Sequence, residues 1–324
     1  MKTSVLLSFA GLIALGGAAM AQDFPQKGRP ITTIVPSTAG GGTDVAARLI
    51  APLLEKDLGV PVEVVNKPGA SMQIGLTEVA RAKPDGHTLV WSVLPTAASI
   101  YLDEDRKSPF KRDSITPIGM YYGAPFGIVV LASSPHKTLK DVVDAAKADP
   151  GKLKGGTTGF MSTGHFANLA FQQGSGAKMA TVNFQGGGPQ LTALLGGHID
   201  VGFNSIGELL THQKNGAVRV LAVMDESRSE LMPDVPTLAE AGFAEVAPIG
   251  SDIGLSAPAG TPQAVIDRLT KALETAMQDP GLKAKMLEQG NTINYLPPAE
   301  YAKFWDAVDA RFKPLIDEAK KQSK

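Results

Sequence analysis

The chain has 324 residues, of which 31 are basic and 32 acidic, a net charge of −1, and no cysteine. That balance excludes the broad basic face of a nucleic-acid or acidic-membrane binder, so any preference for anions has to be built locally. Without cysteine there is neither a disulfide nor a lipid-bearing anchor residue; the fold must rest on a large core, which a chain of this length divides between two lobes.

The chain opens with Lys2, an apolar run over 5–15 and the small-x-small site Ala19-Met20-Ala21, read as a cleaved signal peptide over 1–21 of an exported protein. No later stretch approaches the ~20 apolar residues of a membrane-spanning helix. A buried strand is expected over 31–35, then the turn Gly40-Gly41-Gly42 and a helix from Thr43-Asp44 to Asp57, stopped by Gly59 and kinked at Pro52. Glycine lets a ligand approach the main chain, and a helix start offers unpaired N–H groups at the positive end of its dipole. Together they make an anion cradle from backbone. A P-loop would need Gly-Lys-Ser/Thr where Gly42 precedes Thr43-Asp44, and a dinucleotide fingerprint would need glycine at Val45. A small-anion cradle for a carboxylate remains, beside the plainer reading of an ordinary strand–helix turn. Asp44 is read as ordering the loop, since its charge would repel an anion.

The device repeats: a strand over 60–65, the turn 66–71 and a helix over 72–82, then a strand over 88–93 ending at Leu94-Pro95-Thr96. Such alternation predicts a parallel sheet with ligand-binding turns beyond its carboxyl ends. Gly123-Ala124-Pro125 breaks the pattern before a new strand over 126–132. The capping box of Thr138 and Asp141 opens a helix to Ala148. Strands over 155–158, 180–184, 199–203 and 218–224 follow, their turns being 159–164, 185–189 and Asn204-Ser205, with a helix from His165. The loop 233–237 enters a short helix ending at Gly242, a strand over 251–257 is long enough to cross between units, and helices finish the chain. Tyr301, Phe304, Trp305, Val308 and Phe312 recur at helical spacing and read as core.

Enzymatic signals are weak. The turn 159–164 is one residue too long for a Gly-x-Ser-x-Gly elbow, and the five histidines show no metal-binding spacing. No catalytic residue, cofactor or metal site is predicted; an exported hydrolase and a ligand-sensing module without a transport role remain the rival readings.

The segments IVPSTAGGGTDVAARLIAPLL, VVNKPGASMQIG, KPDGHTL, TGFMSTGHFANL, FQGGGPQLTALLGGHIDVGF, VRVLAV, MPDVPTLAEAGF and LSAPAGTPQAVIDRL, spread over residues 30–275, give the chain a specific resemblance to the periplasmic solute receptors of tripartite tricarboxylate transporters, the Bug family. The resemblance implies an α/β type II periplasmic-binding-protein fold, two α/β lobes joined by two crossing segments with a ligand cleft between them. Lobe 1 would be 22–122 plus 246–324 and lobe 2 would be 123–245. It also implies a periplasmic monomer that closes on a small carboxylic acid and hands it to two membrane subunits. The chain departs from the family's usual pattern at 182–188 and at Ala70-Ser71-Met72, where glycines are common; both bear on ligand identity. Across the predicted cleft, Ser37, Thr38, Gly41 and Gly42 would hold one carboxylate by N–H and hydroxyl donation, with Ala70, Ser71 and Thr96 adding to that lobe. The facing set is Thr158, Ser162, Thr163, Gly164 and His165, then Gln185, Gly186 and Gly187, with Asn204 reaching the ligand's far end. No arginine sits in these turns, so neutral donors and helix dipoles would supply the affinity.

Overall fold

The computed structural model describes residues 24–289 and 291–322, so the expected leader lies outside the described residues. Chain order begins with β1 (Ile31–Val35), α1 (Gly42–Leu58), β2 (Val62–Asn66), α2 (Gln73–Ala80), β3 (Thr88–Leu94) and α3 (Thr96–Leu102). The helix α1 buries Ala46, Ala47, Ile50, Ala51 and Leu54, and ends where Gly59 takes the left-handed conformation. It runs through Pro52 without interruption. Strand β1 pairs in parallel with both β2 and β3.

The central element is β4 (Ile115–Leu131), which belongs to both lobes. After it come α4 (Leu139–Ala148), β5 (Lys154–Thr157), α5 (Thr163–Ser175), β6 (Ala180–Asn183), α6 (Gly187–Leu195), β7 (Val201–Ser205), α7 (Ile206–Lys214) and β8 (Val218–Val223). The chain ends with β9 (Gly250–Pro258), α8 (Gln263–Met277), α9 (Pro280–Glu288), β10 (Thr292–Leu296) and α10 (Pro298–Gln322). The strand order is β2-β1-β3-β9-β4-β7-β5-β6, with β8 and β10 also on β4. The first part of β4 pairs antiparallel with β9 and β10; its second part pairs with β7 and β8. Two parallel units therefore hang on one shared strand. The second crossing segment runs beside it into β9, where the Phe126 N–H donates to the Ile249 carbonyl at 3.0 Å. This is the two-lobed type II binding-protein architecture.

The expected break at Gly123-Ala124-Pro125 is absent. These residues pair with Asp252, Ser251 and Gly250, and β4 begins at Ile115. Proline is tolerated here because the strand is leaving one set of partners for another, with register shifts just before it. Helix α3 was not anticipated: Thr96 to Ile100 are all buried, so no polar stripe marks its period. The edge strand β10 was also missed. The short helix expected after Thr237 does not form. Its signal is a real reciprocal cap, Glu240 N–H to Thr237 Oγ1 at 3.2 Å and Thr237 N–H to Glu240 Oε2 at 2.8 Å. The chain nevertheless makes only turns before Gly242.

The aromatic face of α10 is core as expected, with Tyr301, Trp305, Val308 and Phe312 buried and Phe304 half-buried. The Tyr301 hydroxyl lies 3.2 Å from Ser92 Oγ on β3. Among the described residues no helix is long and apolar enough to cross a membrane.

Candidate functional site

The turn between β1 and α1 is held open by its own acid. Asp44 accepts from the Gly40 N–H at 2.8 Å, from Arg48 Nε at 3.0 Å and from Asn66 Nδ2 at 3.0 Å. Gly40 meets Asp44 from a left-handed φ of 80°, which glycine adopts without strain. Burial raises the Asp44 pKa, but its hydrogen bonds outweigh that and the carboxyl lies below its usual range. Asp44 thus orders the loop. Thr38, Gly40 and Gly42 remain exposed or half-exposed, and the Gly41 N–H reaches the Thr38 carbonyl at 3.4 Å. Ser37 Oγ is buried without a partner. A Cβ on Gly42 would stand 3.5 Å from the Tyr122 hydroxyl, which places this turn against the crossing strand β4.

The second predicted turn meets the first lobe. Thr163 Oγ1 lies 3.4 Å from Thr96 Oγ1 and accepts from Ser251 Oγ at 3.2 Å, joining the starts of α5 and α3 to β9. Ser162 caps α5 by accepting from the His165 N–H at 3.3 Å; it also donates to the Gly159 carbonyl at 2.6 Å and lies 2.9 Å from Thr158 Oγ1. Gly164 serves close packing, since a Cβ there would come within 2.7 Å of Thr158 Oγ1 and 3.0 Å of the Phe203 carbonyl. His165 is buried, and its Nδ1 accepts from the Met161 N–H at 3.2 Å. Desolvation lowers its pKa to about 4, so the ring is neutral at physiological pH and offers no cation to an anion. Phe160 is exposed beside it.

The third turn is occupied. Gly186 adopts φ 116° and donates its N–H to the Thr158 carbonyl at 3.1 Å, tying this turn to the second. Gln185 is exposed. A Cβ on Gly187 would fall 2.3 Å from Glu208 Oε1, so a carboxylate of the chain itself stands against this glycine. Asn204 is fully buried; its Nδ2 donates to Glu208 Oε2 at 3.2 Å and to the Gly187 carbonyl at 3.5 Å. Ala70 and Ser71, with Met72, form a run of left-handed residues at φ 47°, 50° and 76° before α2, and Ala70 lines a separate shallow recess with Ile74 and Pro109.

Three groups at the centre were missed from sequence: Tyr122, Glu208 and Asp252. Burial raises the Tyr122 phenol pKa, and the charges of Glu208 and Asp252 add to it. Tyr122 therefore stands against Gly42 and within electrostatic reach of Glu208. Glu208 keeps exposed surface, yet desolvation raises its pKa. A group that water reaches while protein surrounds it stands in a recess. Its sequence signal, Ser205-x-x-Glu208, reads as a helix cap, and Ser205 does cap α7.

A recess of about 690 Å³ is lined by Gly123, Asp252, Asn294, Arg311 and the loop 224–231. Successive side chains of a strand face opposite ways, so Tyr122 looks toward Gly42 while Gly123 looks into this recess. Desolvation pushes the half-buried Asp252 carboxyl up to about 7, with Arg311 opposing and Asp225 reinforcing the shift. The folded state then holds this proton to higher pH than the unfolded chain, whose value is near 3.8. That contribution to stability is complete below about pH 4 and lost as pH rises through 7. Asp252→Asn, which escapes the loss, is expected to unfold about 2–4 kcal/mol less readily than the parent above pH 7 and equally readily near pH 4, as read by denaturant titrations across that range. A gap that does not change with pH would refute the assignment.

The profile described as "Tripartite tricarboxylate transporter family receptor" matches residues 46–320. A UPF0065 protein of Cupriavidus necator is 33% identical over 307 residues, covering 95% of this chain and 92% of that protein. Among solved structures, MatC of Rhodopseudomonas palustris with bound malate aligns with a TM-score of 0.80 at 28% identity, covering 90% of this chain and 100% of that one. A second R. palustris protein, Rpa4515 with adipate, aligns with a TM-score of 0.81 at 26% identity, covering 92% and 98%.

Proposed function

Because the chain belongs to the tripartite tricarboxylate transporter receptor family, we propose that it captures a small carboxylic acid between its lobes in the periplasm and delivers it to the membrane subunits of a tripartite transporter. The observation that carries this reading is the exposed turn at Thr38–Gly42, set against Tyr122 of the crossing strand β4, in a fold whose neighbours hold malate and adipate. One carboxylate would sit on this turn, with Ser37, Thr38, Gly41 and Gly42 as donors. Thr96 and Thr163 would form the seam, and Thr158 and Gly186 the facing side. Ala70, Ser71, Gln185 and Gly187 would shape the approach, and Ser162, Gly164, His165 and Asn204 would hold the walls.

The lobes divide as 22–122 with 246–324, and 123–245. Strand β4 passes from its β9 partners to β7 and β8 between Pro125 and Phe126, which supports a division close to, though slightly beyond, residue 122. Closure is then a rotation about two short strand segments, with ligand shifting the population toward the closed form.

The test is a thermal-shift screen of the purified protein against mono-, di- and tricarboxylic acids. A ligand at 100 times its dissociation constant stabilises by ~2.7 kcal/mol. A response confined to sugars or cations, with silence from every acid, would overturn the proposal.

A further inference from the structure

The third glycine turn has the form of an anion cradle, and a carboxylate already stands against it. Glu208 Oε1 and Oε2 lie 2.3 and 2.5 Å from where a Gly187 Cβ would be. Asn204, the amide that could have reached a ligand's far end, spends its donor on Glu208 and on the Gly187 carbonyl. Among the described residues Glu208 makes no salt bridge, and no basic group acts on its titration. The charge of Glu208 acts on the titration of Tyr122, itself buried and a neutral phenol. The third turn therefore presents a carboxylate that neutral donors hold but that has no cationic partner among the described residues, where a receptor for two carboxylates would need donors.

We infer that Glu208 sets the ligand's polarity: one carboxylate docks on the Thr38–Gly42 turn, and the other end presents an amino group to Glu208, so the protein prefers amino monocarboxylates to dicarboxylates. This rests on the carboxylate-capture reading above and deepens it. Two carboxylates facing each other a few ångströms apart repel, whereas an ammonium at the same place is attracted and finds an acceptor held in position by Asn204.

Three matched acids test the inference by isothermal titration of the whole protein: adipate, pentanoate and 5-aminopentanoate. The parent is expected to bind 5-aminopentanoate about tenfold or more tightly than adipate, with pentanoate between. The isosteric Glu208→Gln should narrow that ratio by about tenfold or more, mainly by gaining adipate affinity, and leave pentanoate nearly unchanged. Adipate binding more tightly than 5-aminopentanoate in the parent, or a ratio unmoved in Glu208→Gln, would overturn the inference. So would failure of all three acids to bind. In each of these cases a positive result in the broader acid screen leaves the capture reading standing, so the two failures are told apart. The variant's unfolding curve separates a change of preference from a loss of fold.

Discussion

Gly42→Leu is expected to weaken binding of the best acid in the screen by about 100-fold while the free protein melts within a few degrees of the parent. Among the described residues the amides at Gly42 and Thr43 make no hydrogen bond within the chain and open the first turn of α1. A side chain at Gly42 would project toward the Tyr122 hydroxyl, already 3.5 Å from the Cβ position, and fill the space a carboxylate needs. Losing one or two charge-assisted hydrogen bonds at ~1.5–3 kcal/mol each is enough for that loss of affinity. The backbone cost is small, because Gly42 keeps contact with solvent and its φ lies outside the left-handed region. Replacing a helical glycine with leucine even improves local propensity. Gly42→Ala adds only an ordinary contact, so a smaller loss, about tenfold or less, should accompany it. Calorimetric titration of both variants with the same acid checks the pair; a leucine variant that binds as the parent does would remove this turn from the site.

The lobed α/β plan was legible because strands and helices of this chain differ in period and are punctuated by glycine. Helix α1 and the aromatic face of α10 lie where periodicity places them. Helix α3 was not legible, because an element buried on every side carries no alternation, only composition. The continuity of β4 through Gly123-Ala124-Pro125 was hidden for a related reason. Local breaker residues argue for an end, and only the partners at Gly250 to Asp252, far along the chain, keep the strand going. At the site, residue type and spacing located the turns but not which donors are already consumed. Ser162 looks like a ligand donor in sequence and serves as a cap in space. Asn204 looks like a far-end contact and instead holds Glu208. Glu208 looks like half of a capping box, and its carboxylate lies against Gly187. Such pairings are long-range choices among equally good local partners, and sequence spacing does not rank them.

Gly254→Ala is expected to destabilise the protein by about 3 kcal/mol, near the upper end of overpacking effects in cores. A Cβ at this position would stand 2.4 Å from Cε1 and Cζ of Tyr301 and 2.6 Å from its hydroxyl, closer than real atoms approach. The ring cannot simply turn aside. Tyr301 is fully buried, its hydroxyl pairs with Ser92, and it packs against Trp305, whose Nε1 donates to the Tyr101 hydroxyl at 2.7 Å. The strand must then shift against α10, and β9 is a crossing strand that also carries Ser251 and Asp252. Some loss of ligand affinity should therefore accompany the loss of stability. A double-mutant cycle isolates the cause. Tyr301→Ala alone should cost about 3–5 kcal/mol by leaving a cavity. With the ring gone, the methyl introduced by Gly254→Ala has nothing to strike, so the double variant should cost clearly less than the two single losses added together. Strict additivity in denaturant unfolding would mean that the close approach of Tyr301 to Gly254 does not fix how α10 seats on the sheet.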